Sequence, residues 1–225
     1  MADQAGPPIP RDRVPEPLRQ LGSWVRTGES KSTPRPPTRD HCRMPRTGLA
    51  PPEMHDGADL LLRAHRVADI DAIIEQCRDE EMRRWTTVPA PYTESDARSF
   101  LDHTARSWAD GTVAAFAIEV ENRFAGTIDL RFQEAAWSEV GFGLASLARG
   151  RHVMRRSLTM VLSWAFDDLG LAGVCWRAQV GNEASRSVAE ACGFRLEGTV
   201  RGLLVQRGQR VDAWIGTVLA ADRQP

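Results

Sequence analysis

The sequence predicts an α/β fold: a mixed sheet, largely antiparallel, with one central parallel strand pair and helices on its flanks. Three observations predict it. Two apolar runs, residues 114–121 and 125–132, meet through Asn122-Arg123 as a hairpin with Gly126 near its second strand's start. An alternating strand around Glu139 leads through a glycine-containing turn into a long helix and then a strand at 174–180, which supplies the parallel pair. A short helix from Asn182 and a last strand pair around Arg207-Gly208-Gln209 complete the sheet.

The elements follow in order from residue 59. Leu60, Leu61, Leu62 and Arg63 form a first strand, and residues 68–77, with Ile70, Ile73 and Ile74, a helix. A second helical piece carries Met82 and Trp85. A turn at Pro91-Tyr92-Thr93 opens a third helix running to about Trp108, since Thr93 and Asp96 have the spacing of a capping box with Asp in place of Glu. In the strand at Glu139, Val140, Phe142 and Leu144 alternate with Glu139, Gly141 and Gly143, so one face is apolar and the other carries the carboxylate. Val153, Ser157, Leu158, Val161, Leu162, Ala165, Phe166 and Leu169 then recur at helical spacing.

Two segments carry chemistry. In the run from Asn182 to Phe194, Asn182 is placed to cap a helix, Ser185 lies one turn inside it, Ala184, Val188 and Ala191 form its apolar stripe, and Gly193-Phe194 end it. A helix start presents unpaired N–H groups and a positive dipole end, which suits a thiolate or a phosphate. Upstream, Arg149-Gly150-Arg151-His152-Val153-Met154 joins a strand to a helix N-terminus, a cradle for a pyrophosphate.

The spacing N-x-x-S-x-x-x-x-E-x-x-G-F, here Asn182, Ser185, Glu190, Gly193 and Phe194, resembles the fourth-helix motif of the GNAT acyl-CoA N-acetyltransferases, in the branch of the RimJ and RimL ribosomal-protein acetyltransferases. The resemblance covers essentially everything from residue 59 to the C-terminus. It implies the GNAT fold, in which the central parallel pair splays apart and the pantetheine arm enters the gap. It also implies acetyl-CoA as co-substrate, with Leu144, Arg149, Gly150, Arg151, His152, Val153, Met154, Asn182 and Ser185 in contact with it and no metal. The turn departs from the family pattern Q/R-x-x-G-x-G/A after Arg149, because His152 and Met154 stand at the two small-residue positions. Glycine allows the closest backbone approach to a ligand, so His152 threatens the fit to a pyrophosphate. Arg149, Arg151, Arg155 and Arg156 leave a basic helix entrance, or simply a solvated one.

Acetyl transfer to an amine needs a base for the attacking amine and a partner for the departing sulfur. Glu139 is the candidate base, on the face that carries Gly141 and Gly143, and a glutamate at this place is also what the resemblance implies. Ser185 is the candidate acid, its alternative role being a local cap. An α-amino group near pKa 8 needs less help than a lysine near 10.4. Trp85 and Tyr92 lie where related enzymes line the acceptor cleft, with core packing as the alternative. Three readings stay open: a protein N-terminal acetyltransferase, a small-amine acetyltransferase, and a catalytically impaired acyl-CoA-binding module.

The net charge of −1 predicts no nucleic-acid affinity. Lys31 is the single lysine, so the positive charge is almost all arginine. Cys42, Cys77, Cys175 and Cys192 have no zinc-ligand spacing, and reduced thiols are expected. Lacking a membrane-spanning apolar stretch or a signal-peptide core, the chain is expected to be cytoplasmic, as a monomer or homodimer. Eleven of the 14 prolines lie between Pro7 and Pro52, in a stretch without an apolar period. Residues 1–57 are therefore expected to be a disordered extension, apart from a helical turn around 18–25, or an overextended gene start before Met54. Residues 58–221 are expected to form the catalytic domain, and removal of residues 1–53 to leave its stability unchanged.

Overall fold

The computed structural model describes residues 48–134 and 136–223; the expected extension up to residue 47, with its helical turn, lies outside them. Eight strands form one sheet in the order β1-β2-β3-β4-β5-β6-β8-β7. These are β1 (Met54–His55), β2 (Leu60–Arg63), β3 (Val113–Val120), β4 (Arg123–Phe132), β5 (Trp137–Leu144), β6 (Gly173–Gln179), β7 (Arg195–Gln206) and β8 (Gln209–Leu219). All neighbours are antiparallel except β5 and β6, the expected central parallel pair. The helices are α1 (Ile70–Arg78), α2 (Glu80–Trp85), α3 (Glu94–Asp110), α4 (Val153–Ser163) and α5 (Glu183–Ala191).

Alternation along the strands sorts their side chains onto two faces. On one, Leu60, Leu62, Phe116, Ile118, Ile128, Leu130, Val140 and Val174 pack with Val153, Leu158 and Val161 of α4. Phe116 is fully buried there, with the rings of Trp108 and Trp164 centred 5.1 and 5.5 Å away. A smaller cluster joins α1 and α3 through Ile70, Ile73, Cys77, Tyr92 and Ala97, with Phe100 and Phe124 against it. The capping box expected at Thr93 and Asp96 opens α3 as read from the sequence.

Local details differ from the expected boundaries. The β3–β4 turn is Glu121-Asn122, both at positive φ (52° and 61°), because a two-residue hairpin of this twist needs two left-handed residues and Arg123 already pairs with Val120. After Ser163 the long helix widens into a π turn, Trp164–Asp168, where Trp164, Ala165 and Phe166 are all buried; three consecutive inward side chains do not fit an α-helical stripe. The folded region also reaches ahead of residue 58. Met54 pairs with Leu62, Leu49 packs on the main core, and the Gly48 N–H donates to the Ala109 carbonyl (2.9 Å). Removal of residues 1–53 takes away the Leu49 and Gly48 contacts, and comparing melting temperatures with and without them measures what they contribute. Among the described residues no helix is long and apolar enough to cross a membrane.

A buried polar layer ties β2 to α1 and β3. Arg63 donates to both oxygens of Asp69 (2.8 Å each) and to Glu119 (2.7 Å). Beside it, His65 meets Thr127 Oγ1 at 3.2 Å and stands edge-on to Phe100, ring centroids 5.0 Å apart. Burial holds the His65 imidazole neutral, its pKa pushed down to about 4, with Asp69 opposing and Arg63 reinforcing the shift. In the unfolded chain the ring takes its proton near 6.5. The stabilising contribution of the neutral ring is thus complete above pH 6.5 and is lost as pH falls towards 4, by up to about 3 kcal/mol. Urea unfolding at pH 7.5 and pH 5 is expected to show this loss in the parent and a smaller one in His65→Phe; equal losses in the two proteins would remove His65 as its source.

Candidate active site

β5 and β6 are paired only from Trp137 opposite Gly173 to Val140 opposite Trp176. Beyond that point each strand stays with its outer neighbour: β5 pairs with β4 as far as Leu144 opposite Gly126, and β6 with β8 as far as Gln179 opposite Ala213. The inner edge of β5 over residues 141–144 therefore faces a gap in the sheet, where the Leu144 carbonyl accepts from Arg149 (3.1 Å) and the Gly143 carbonyl from Gln76 (3.1 Å). A cavity of about 370 Å³ opens there. Glu139, Leu144, Arg149, Met154, Asn182, Ser185 and Trp85, all singled out in the sequence, line it.

Its floor is charged. Glu139 is only 7 % exposed; one of its oxygens accepts from Arg131 (3.3 Å) and the other from Arg177. Arg131 lies opposite Glu139 across the β4–β5 ladder, and its Nε meets Asp129 Oδ1 at 3.0 Å. Asp129 is pushed up to about 6 by burial, with Glu139 adding to the shift and Arg131 opposing it. A side chain at Gly141 would run into Arg131 and Asp129, and one at Gly143 into Met82 of α2, so the two glycines let these groups close over β5.

Ser185 lies in the first turn of α5. Its N–H donates to Asn182 Oδ1 (3.2 Å), so Asn182 is the cap that the sequence predicts. Its hydroxyl oxygen accepts from the Trp176 indole N–H (3.0 Å), which leaves the O–H proton free to donate elsewhere. On the gap's other side α4 begins without a side-chain cap, so its first N–H groups remain available to an anion.

The turn itself differs from the expected basic entrance. Arg149 reaches back to Asp79 and to the Leu144 carbonyl (3.1 Å), Arg151 to Glu121 (3.1 Å), and Arg156 to Asp56 and Asp59. Three of the four arginines are thus neutralised by carboxylates. Gly150, Arg151 and His152 are exposed outside the cavity, and Val153 is buried in the core. Tyr92 is the clearest correction. It is not in the cleft but 6 % exposed between α1 and α3, where its ring gains more from apolar burial than a cleft wall would offer.

Arg131, Arg177, Trp176 and Asp129 escaped the sequence reading. The available signal was register: Asp129 and Arg131 sit opposite Gly141 and Glu139, two positions apart on one face.

The family described as "Acetyltransferase (GNAT) domain" matches residues 59–195. Among curated relatives, "Putative ribosomal N-acetyltransferase YdaF" of Bacillus subtilis (strain 168) is 35% identical over 75 residues, 33% of this chain and 41% of that protein. The chain thus spans less than half the length of that relative. Among solved structures, RimL, the ribosomal L7/L12 alpha-N-protein acetyltransferase in complex with coenzyme A, aligns with a TM-score of 0.69 at 18% identity, over 75% of this chain and 98% of that one. RimJ of Mycobacterium smegmatis aligns with a TM-score of 0.69 at 20% identity, over 75% and 85%. At these identities the structures establish the fold.

His152 caps α4 in the left-handed conformation (φ 57°, ψ 14°) without a side-chain hydrogen bond to the helix. The conformation disfavours any residue with a Cβ, which supplies a reason for glycine here besides close approach to a ligand. His152→Gly is expected to raise unfolding stability by about 0.5–1 kcal/mol, the relief of strain being partly offset by a freer unfolded chain. Urea denaturation measures it, and a loss of stability would mean that the imidazole makes a stabilising contact.

Proposed function

The chain belongs to the GNAT family and is an acetyltransferase, and from that premise we propose that it carries the acetyl group of acetyl-CoA to the α-amino group of a protein N-terminus. The observation that carries the reading is the parting of β5 from β6 beside an uncapped helix start. Together they fit an extended, amide-bearing arm ending in a pyrophosphate. Acetyl-CoA as donor, together with free Cys77, Cys175 and Cys192 thiols, fits a cytoplasmic enzyme. The acceptor class rests on the ribosomal-protein relatives, and Glu81, Met82 and Trp85 of α2 with Leu204 of β7 line the cavity in which an amine would be presented.

Aminolysis of a thioester forms an N–C bond, breaks the C–S bond, takes a proton from the amine and leaves charge on sulfur. In this reading Glu139 receives the proton, directly or through water. Arg131 and Arg177 orient it, and each carboxylate oxygen keeps a lone pair beyond its guanidinium bond. Ser185 donates to the sulfur, because Trp176 already occupies its acceptor side and the start of α5 favours negative charge. Leu144, Met154 and Asn182 border the donor, and Trp85 borders the acceptor.

Thiol release from acetyl-CoA against a panel of peptides and small amines tests the acceptor class. Turnover of small amines alone would shift it, and acetyl-CoA binding without turnover would favour a binding module. Glu139→Gln is expected to lower kcat about 100-fold at pH 7 with little change in acetyl-CoA affinity. The loss should deepen towards pH 6, where more of the amine is protonated; parity with the parent across that range would take Glu139 out of the mechanism. Ser185→Ala is expected to slow turnover about tenfold, the weight of one hydrogen bond to a charged group, with acceptor KM little changed. An unaltered kcat would leave Ser185 only a structural role.

A further inference from the structure

α2 has six residues and buries none of them, so it is too short to hold its own conformation in water. Yet Glu81, Met82 and Trp85 on it form one wall of the cavity. Its position is set from outside, at both ends. At the C-terminal end, Gln206 donates to the carbonyls of Arg84 (3.0 Å) and Thr86 (2.8 Å), and Arg207 to that of Arg83 (2.9 Å). At the N-terminal end, Asp79 accepts from the Met82 N–H (3.1 Å) and is gripped by Arg149.

Arg149 stands at the first position of the turn that leads into α4, the position from which the sequence assigns it to the donor. Its guanidinium instead spans the Leu144 carbonyl, at the last residue of β5, and the cap of α2. The Arg149 bond holds the Asp79 carboxyl below the usual carboxylate range, helped by the Met82 N–H and opposed by partial burial, so Asp79 stays charged at neutral pH.

We propose that Arg149 is a positioning residue for the acceptor wall: through Asp79 it fixes α2 over the cleft, joining the donor turn and the acceptor wall by one ion pair. The proposal rests on the acetyl-transfer reading above. A donor that orders the turn then also steadies the wall against which the amine is presented. Loss of the pair weakens acceptor binding first, because the groups at the reacting centre, Glu139 and Ser185, sit on β5 and α5 and do not depend on α2.

Arg149→Met removes the cation, and Asp79→Ser removes the charge while keeping a residue that caps helices well. Each is expected to raise the acceptor-peptide KM about tenfold, with kcat and calorimetric acetyl-CoA affinity within about threefold of the parent, and the double variant no worse than either single. Amide hydrogen exchange across residues 80–86 should quicken in all three. A tenfold loss of acetyl-CoA affinity in Arg149→Met, with Asp79→Ser silent in acceptor KM, would make Arg149 a donor ligand and overturn the proposal. So would unchanged exchange across α2. If the parent acetylates no peptide, the acceptor assignment falls, and exchange alone supports or overturns the link.

Discussion

The rest of the structure is arranged around the failure of β5 and β6 to remain paired. A parallel pair normally satisfies both inner edges along its length, but here the ladder stops at Val140 and Trp176 while the outer ladders continue to Leu144 and Gln179. Sheet twist carries strands held from outside away from each other. The result is a gap with backbone donors and acceptors on its rim, in a sheet whose opposite half is a dense apolar core. An extended, hydrogen-bonding ligand fits such a gap better than a compact apolar one.

Charge is organised around that gap in pairs. Glu139 between Arg131 and Arg177, with Asp129 beyond Arg131, forms a chain of alternating sign along the cavity floor. Burying a lone carboxylate at this place would be costly, and two guanidiniums offset that cost. Ser185 is held by its own backbone and by Trp176 in the same way. Side chains fixed by neighbours from different elements need little rearrangement when a reaction begins.

The cleft's two walls differ in how firmly they are built. One is sheet and α5, anchored in the core. The other is α2, which buries none of its residues and is tied at its ends to Arg149 and to the β7–β8 hairpin. Segments with few buried contacts occupy the low-stability end of a protein, and substrate access draws on such segments. Ion pairs and amide bonds at the ends of α2 therefore hold that wall of the cavity in place.

Periodicity and local turn chemistry made most of the fold legible in the sequence: the alternation of β3 to β5, the capping box at Thr93, the Asn182 cap and the Arg207-Gly208 turn all depend on neighbours within a few residues. Strand alternation and a helix start pointed to Glu139, Asn182 and Ser185, while Leu144, Met154 and Trp85 came from the resemblance; all six line the cavity. Arg149 also reaches the cavity, but its partners were not foreseeable. Its guanidinium meets Asp79, 70 residues away, and the bond to Leu144 depends on where the chain turns. Tyr92, the partners of Glu139 and the indole on Ser185 were likewise decided by register and packing. A strand's own pattern gives the face of a side chain; which residue stands opposite it across the ladder is settled only when distant segments of the chain come together.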